Sequence, residues 1–333
     1  MKGKLKSAYL LFRTYIFLSK YLPRSIFDNH ADMPWLLKII SLLRVQKPLP
    51  YFQENGSSVM LSTDSVYMER KRKMMVIDEK EKAVLHVFKS LHGVSEYKNN
   101  RNAFVSSSGS PYFRFPTYAC NADASSNLVV VEEKITGVSL NTCDYDTVGD
   151  FLDIWFEVEK RKWKLPQDTE GARFVYDELR RSAYKLEKQL SPDSPFFKLY
   201  SECGRPFDEV EGTWPIAFCH GQTVPVNILY SQEDGQYCFI DYEPELMGCA
   251  PYGYDFAFFV LYSDDLISSE YKSKLKTIFS AGCQVQDWKK HFLAQIVWWS
   301  KDRKLDQQQV KKINKRTLTT LDLSDSRGVF QHG

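Results

Sequence analysis

The sequence predicts an α+β fold in two lobes, a small β-rich first lobe followed by a larger, mostly α-helical second one. Three observations point there. Short apolar runs of strand length dominate from about residue 55 to 135. After residue 145 the apolar residues recur at helical spacing instead. And 333 residues, 43% hydrophobic and 26% charged, are enough chain for two lobes with filled cores.

Residues 1–54 form a basic, aromatic extension in which Lys4, Lys6, Arg13 and Lys20 interleave with Tyr9, Phe12, Phe17 and Tyr21 at roughly helical spacing. Two readings stay open: a helix packed on the protein with its cations in water, or an interfacial helix that touches a membrane through residues 1–24. Spanning is disfavoured, because only six uncharged residues separate Arg13 from Lys20, against the roughly 20 apolar residues a span requires. No small-residue cleavage site follows.

The first lobe, residues 55–135, reads as strands at 59–61, 74–78 and 83–88, the last two joined by the charged residues 79–82 as a hairpin. A helix over 95–104, a Gly/Ser/Pro-rich loop over 106–111 and a buried strand over 128–131 complete it. The second lobe, residues 136–333, opens with Phe151, Ile154, Trp155 and Val158 on one helical face, then Val175, Leu179, Ala183 and Leu186 on another. Its exception is 216–240, where apolar runs at 228–230 and 237–240 flank a polar turn, a second hairpin. Helices resume near 253, and 288–299 reads as a buried helix before a polar, basic tail.

Charge and cysteine usage narrow the function classes. With 44 Lys+Arg against 42 Asp+Glu the formal charge is +2, which disfavours a nucleic-acid binder. The seven cysteines form no C-x-x-C pair, which fits a reducing, cytoplasmic setting better than a disulfide framework. Only Cys219 and His220 are adjacent, so a thiolate metal site is disfavoured as well.

The densest polar constellation runs from Phe218 to Leu229 and resumes at Phe239-Ile240-Asp241-Tyr242-Glu243. It sets an amide, Asn227, and a carboxylate, Asp241, at the two ends of one hairpin. Two hard oxygen donors of this kind suit Mg²⁺, which takes few protein ligands and completes its octahedron with water and phosphate.

On these residues the segment resembles the catalytic loop and metal-binding loop of the aminoglycoside phosphotransferase and choline kinase family, which has the protein-kinase-like fold. His220, Gly221, Asn227, Asp241 and Glu243 match its pattern, Tyr254-Asp255-Phe256-Ala257 resembles a later element, and residues 128–137, with Glu133, resemble its hinge. The resemblance extends over roughly residues 55–265. It implies ATP and Mg²⁺ as cofactors, with Asn227 and Asp241 holding the metal, His220 bracing the loop rather than acting as base, and Asp255 anchoring the helix behind it. In the first lobe it implies a phosphate-binding Lys paired with a helix Glu. The apolar run aligns His86 with that Lys, Lys89 is the nearest cation downstream, and Glu96 is the matching helix residue. No Gly-x-Gly-x-x-Gly is present; residues 62–65 are the remaining candidate to cover phosphates, and the cations of 70–73 read as a solvated strand start.

The chain departs from the family at Gln222, where the pattern has Asp. That carboxylate accepts or orients the proton of the attacking hydroxyl, and a neutral amide cannot take it. Glu243 and Glu245 are the nearest alternative carboxylates in the sequence. The expected function is an ATP- and Mg²⁺-dependent phosphotransferase acting on a hydroxyl of a small molecule, sugar or glycan, the basic N-terminus suggesting surface-polysaccharide metabolism at the inner membrane face. The competing expectation is a pseudokinase, a nucleotide-binding or scaffolding module without phosphoryl transfer. A third is a different transfer from ATP.

Overall fold

Short apolar runs put strands in the first third of the chain, and the computed structural model contains them. It describes residues 49–50, 58–59, 66–69, 73–78, 83–88, 91–120, 129–166, 168–208, 214–242, 248–262, 269–282, 288–301 and 306–325. Almost all of the N-terminal extension, with its expected membrane contact through residues 1–24, lies outside the described residues, as do 62–65, Lys89, Glu243 and Glu245. The chain divides into two compact units, one comprising residues 1–99, 114–137 and 231–240, the other 100–113, 138–230 and 241–333. Strands concentrate in the first and helices in the second, the α+β class expected from the sequence.

The first unit is built on an antiparallel sheet of five strands: β3 (Val66–Glu69), β4 (Lys73–Asp78), β5 (Ala83–Phe88), β7 (Tyr118–Cys120) and β8 (Val129–Glu133), in the order β3-β4-β5-β8-β7. A separate ladder pairs β1 (Leu49–Pro50) with β2 (Ser58–Val59). The β4–β5 register opposes Asp78 to Ala83 and Lys73 to Phe88, the hairpin expected around residues 79–82. Strand β5 is central, with β4 on one side and β8 on the other, and five of its six residues are buried. Burial on both faces accounts for its nearly continuous apolar run. Helix α1 (Leu91–Ser108) follows, longer at both ends than the expected 95–104. The serines at its C-terminus read as loop, yet the Ser107 hydroxyl donates to the Phe104 carbonyl at 2.9 Å, so the residue is satisfied within the helix. Strand β12 (Gln236–Phe239) also belongs to this unit. The turn before it is closed by the Gly235 N–H donating to the Ser231 carbonyl at 2.9 Å.

Three helices of the second unit start behind a side chain that caps them. Helix α2 (Tyr145–Arg161) starts behind Asp144, whose carboxylate accepts from the Thr147 N–H; α3 (Glu170–Gln189) starts behind Thr169; α4 (Pro195–Glu202) starts behind Ser194 with Pro195 in its first turn. Phe151, Leu152, Trp155 and Val158 form the buried face of α2, while Ile154 is only half-buried. Each such fully buried side chain contributes about 1.5–3 kcal/mol. Strand β9 (Val138–Ser139) pairs with β11 (Ile228–Ser231), and β10 (Ile216–Cys219) pairs antiparallel with β13 (Gly248–Pro251), opposing Phe218 to Cys249. Strand β6 (Phe113–Arg114) is two residues long. Helices α5 (Tyr254–Tyr262), α6 (Ser269–Gly282), α7 (Trp288–Ser300) and α8 (Gln307–Asp325) complete the unit. All of α7 is buried except Lys289 and Lys290, as its sequence suggested. Stacked and tilted rings line two parts of this core: Phe113, Phe151 and Trp155 in one, Phe196, Tyr200, Phe207 and Trp214 in the other.

Candidate functional site

Strand β10 delivers the chain at Cys219 into the polar segment His220-Gly221-Gln222-Thr223, which a 3-10 turn over Pro225–Asn227 then leads into β11. Four consecutive non-regular residues leave several backbone donors without a ladder partner. Two of them, and one side-chain hydroxyl, go to one carboxylate. Asp255 Oδ2 accepts from the His220 N–H at 2.7 Å, and Oδ1 accepts from the Gly221 N–H and the Thr223 hydroxyl, both at 2.9 Å. Gly221 takes φ +83°, a left-handed value that brings its N–H onto the carboxylate at no side-chain cost. Asp255 is fully buried in the first turn of α5, where the helix dipole favours a negative charge.

The position of Asp255 is itself fixed by the chain just before it. Gly253 has φ +81°, and a Cβ there would lie 2.9 Å from Ile278 Cγ2 on α6. Below Asp255 lies a second buried pair. Lys162 Nζ lies 3.3 Å from Asp255 Oδ2 and 3.4 Å from Glu159 Oε2, with all three side chains at most 1% exposed. Lys162 is the C-cap residue of α2, so a cation meets the negative helix end there. Burial, and after it the charge of Asp255, pushes Glu159 up to about 7 even though Lys162 opposes the shift. Two neighbouring carboxylates hold Lys162 protonated against its own burial. Burial also pushes the Cys219 thiol well up.

The sequence-predicted residues of this unit are drawn together by side chains as well as backbone. The Asn227 amide Nδ2 donates to the Gln222 carbonyl at 3.0 Å, which fixes the amide plane and so the direction of Oδ1. The fully buried His220 ring packs edge-on to Phe104 at 5.5 Å and against Tyr242 at 4.7 Å, and the Arg101 guanidinium lies 5.2 Å over Tyr242. Asp241, the residue before Tyr242, holds φ +59°; among the described residues it and Arg205 are the only non-glycine residues with positive φ. Such a backbone costs energy that its surroundings must offset, and it is commoner at functional sites than elsewhere. Gln222 is half-buried, and its Oε1 is shielded from solvent with no hydrogen-bond partner. As a donor set for Mg²⁺, an oriented amide oxygen and a carboxylate in a strained backbone are of the right hard-oxygen kind.

The first-unit candidates have other partners. His86 Nε2 lies 2.8 Å from Glu132 Oε2, and the Tyr97 hydroxyl donates to the same oxygen at 2.5 Å. Glu96 lies 3.8 Å from the exposed His92 one helical turn away. Glu133 receives Arg114 on one oxygen and the Thr117 N–H and hydroxyl on the other, at 3.2 and 3.0 Å, while Arg114 also reaches Asp234 at 3.0 Å.

Several residues of this arrangement were not singled out from the sequence: Thr223, Glu159, Lys162, Phe104, Glu132 and Tyr97. One signal was there to be read. Glu159 and Lys162 continue the buried stripe of Phe151, Trp155 and Val158 at helical spacing, and charges on such a stripe require a buried partner.

No protein-family model matches the sequence, and no curated protein matches it. The structure is similar to solved kinase structures at low identity. An aminoglycoside phosphotransferase from Streptomyces rimosus shares 10% identity over 71% of this chain and 92% of its own, with a TM-score of 0.44. A thermostable mutant of another aminoglycoside phosphotransferase, in ternary complex with AMP-PNP and hygromycin B, shares 12% over 80% of this chain and 94% of its own, at 0.49. A choline/ethanolamine kinase family protein from Mesorhizobium loti shares 12% over 80% and 81%, at 0.43.

Proposed function

We propose that the chain is an ATP- and Mg²⁺-dependent phosphotransferase that modifies a hydroxyl of a small molecule or glycan. The observation that carries this reading is the loop 220–223 held by one buried carboxylate, with two backbone N–H groups and a hydroxyl spent on Asp255. A loop so fixed has paid its ordering cost before any ligand arrives, and phosphoryl transfer depends mainly on positioning and charge stabilisation. Asn227 and Asp241 would hold Mg²⁺, which when bound neutralises charge developing on the phosphate oxygens. His220 packs the loop through its ring and takes no proton. Gln222 orients the acceptor hydroxyl by hydrogen bonding, without the general-base help that is typically worth about 10²–10⁴-fold, so turnover is slow. Lys89, Glu96 and Glu133 are the first-unit residues assigned to the nucleotide by resemblance.

One observation favours the second reading, a nucleotide-binding module without transfer: the neutral amide at position 222. Calorimetric titration of ATP, with and without Mg²⁺, into wild type and Asp241→Ala tests the common ground of both. Metal-dependent binding that is lost in Asp241→Ala supports the site; binding of equal strength in the two proteins rules out Asp241 as a ligand. Turnover of hydroxyl acceptors that rises in Gln222→Asp then separates the enzyme from the module. No helix among the described residues is long and apolar enough to cross a membrane. A cytoplasmic protein touching the inner membrane face through residues 1–24 is part of the same proposal, and liposome flotation with and without those residues tests it.

A further inference from the structure

We infer that Lys162 is a positioning residue for the transfer loop, acting through Asp255, and that Glu159 sets by its own protonation how much of the Lys162 charge Asp255 receives. This rests on the reading of residues 220–227 as that loop. Asp255 binds the loop with both oxygens, and the oxygen that accepts the His220 N–H is also the one Lys162 approaches, at 2.7 and 3.3 Å respectively. A shift of the ammonium group therefore changes the acceptor strength of the atom that fixes the start of the loop.

Lys162 has little room to shift. Its Nζ lies 5.1 Å from the Phe104 ring and 5.5 Å from the Trp155 ring, and Phe104 itself packs on His220. The cation thus meets the loop by two routes, a carboxylate and an aromatic ring. The Tyr252 hydroxyl donates to the Glu159 carbonyl at 2.5 Å and Gln295 donates to the Tyr252 carbonyl at 3.0 Å, so the turn after β13, itself held by α7, secures the acidic end as well.

Two carboxylates share one ammonium group here. With both ionised the cluster carries one net negative charge in a fully buried setting; with Glu159 protonated it is neutral and Lys162 belongs to Asp255 alone. The charged or titratable groups facing Glu159 are Lys162, Asp255 on α5 and Tyr252 in the turn after β13, with the Cys219 thiol beyond Asp255. Of these, Glu159 is the group that titrates near neutrality, at about 7. The loop is therefore held more tightly on the acid side of neutrality than on the alkaline side.

Amide hydrogen exchange of the full chain, read on peptides covering residues 218–224 and compared with α3, tests this without requiring an acceptor. In Lys162→Met the loop peptide is expected to lose protection about tenfold or more while α3 keeps its own. In wild type, loop protection corrected for intrinsic exchange falls several-fold between about pH 6 and pH 8, and Glu159→Gln removes that dependence. Unchanged loop exchange in Lys162→Met, or an equal loss in α3, overturns the inference. Should Lys162→Met not fold, persistence of the pH dependence in Glu159→Gln overturns it alone. Calorimetry of Mg²⁺ and ATP on the same wild-type sample keeps the two levels apart. Binding with unchanged loop exchange removes only the positioning role, and absent binding removes the phosphotransferase reading on which that role stands.

Discussion

Among the described residues each unit buries a cluster in which a basic side chain meets a carboxylate, and the two serve different elements. In the strand-rich unit His86, Glu132 and Tyr97 close on one another: ring nitrogen and phenol converge on a single carboxylate oxygen, and the rings of His86 and Tyr97 lie 5.6 Å apart. In the helical unit Glu159, Lys162 and Asp255 pass their interactions outward, because Asp255 spends three of its bonds on a loop. The same chemistry ties β5, β8 and α1 together in one place and mounts a loop in the other.

The comparison breaks most sharply at Asp255. Asp255→Ala takes from the buried ammonium group one of its two carboxylates and leaves two loop N–H groups without their acceptor, and chemical denaturation should show a loss of about 3–5 kcal/mol together with loss of Mg²⁺-dependent ATP binding. Next comes pH. Glu159 titrates near 4.5 when unfolded and about 7 when folded, so its contribution is fully present below pH 4.5 and is lost as pH rises through 7. Global stability should decline over that window by on the order of 3 kcal/mol from this group, and Glu159→Gln should flatten the decline; an unchanged slope in that variant refutes the assignment. Smaller again is Glu132→Gln in the closed cluster, expected to cost about 1–2 kcal/mol in urea titrations without altering exchange in residues 218–224. The smallest effect is that of Thr223→Val, about 1 kcal/mol, which removes one of three loop donors and should loosen 218–224 locally with little change in melting temperature.

Much of the helical unit was legible in the sequence because each signal is short-range. The stripe of α2 and the order His220, Asn227, Asp241, Asp255 are written within a few turns or around one hairpin. The Lys162 contact to Asp255 joins residues 93 positions apart, and nothing local to either announces it. The same holds for His86 and Glu132, which become neighbours because β5 and β8 pair in a register opposing His86 to Val130. Short strands such as β6 and β13 were not anticipated either, since two to four residues carry too little alternation to stand out. The longer reach of α1 was missed because its terminal serines favour loops in general.

Gly253 carries a consequence for the sequence of α6. Its φ of +81° and the 2.9 Å distance from a would-be Cβ to Ile278 penalise every other residue type on two separate grounds. A larger residue at 253 is therefore expected to require a compensating reduction at Ile278 or Phe279 on α6. The choice of side chains in that helix is coupled to the placement of a single carboxylate two residues beyond the glycine.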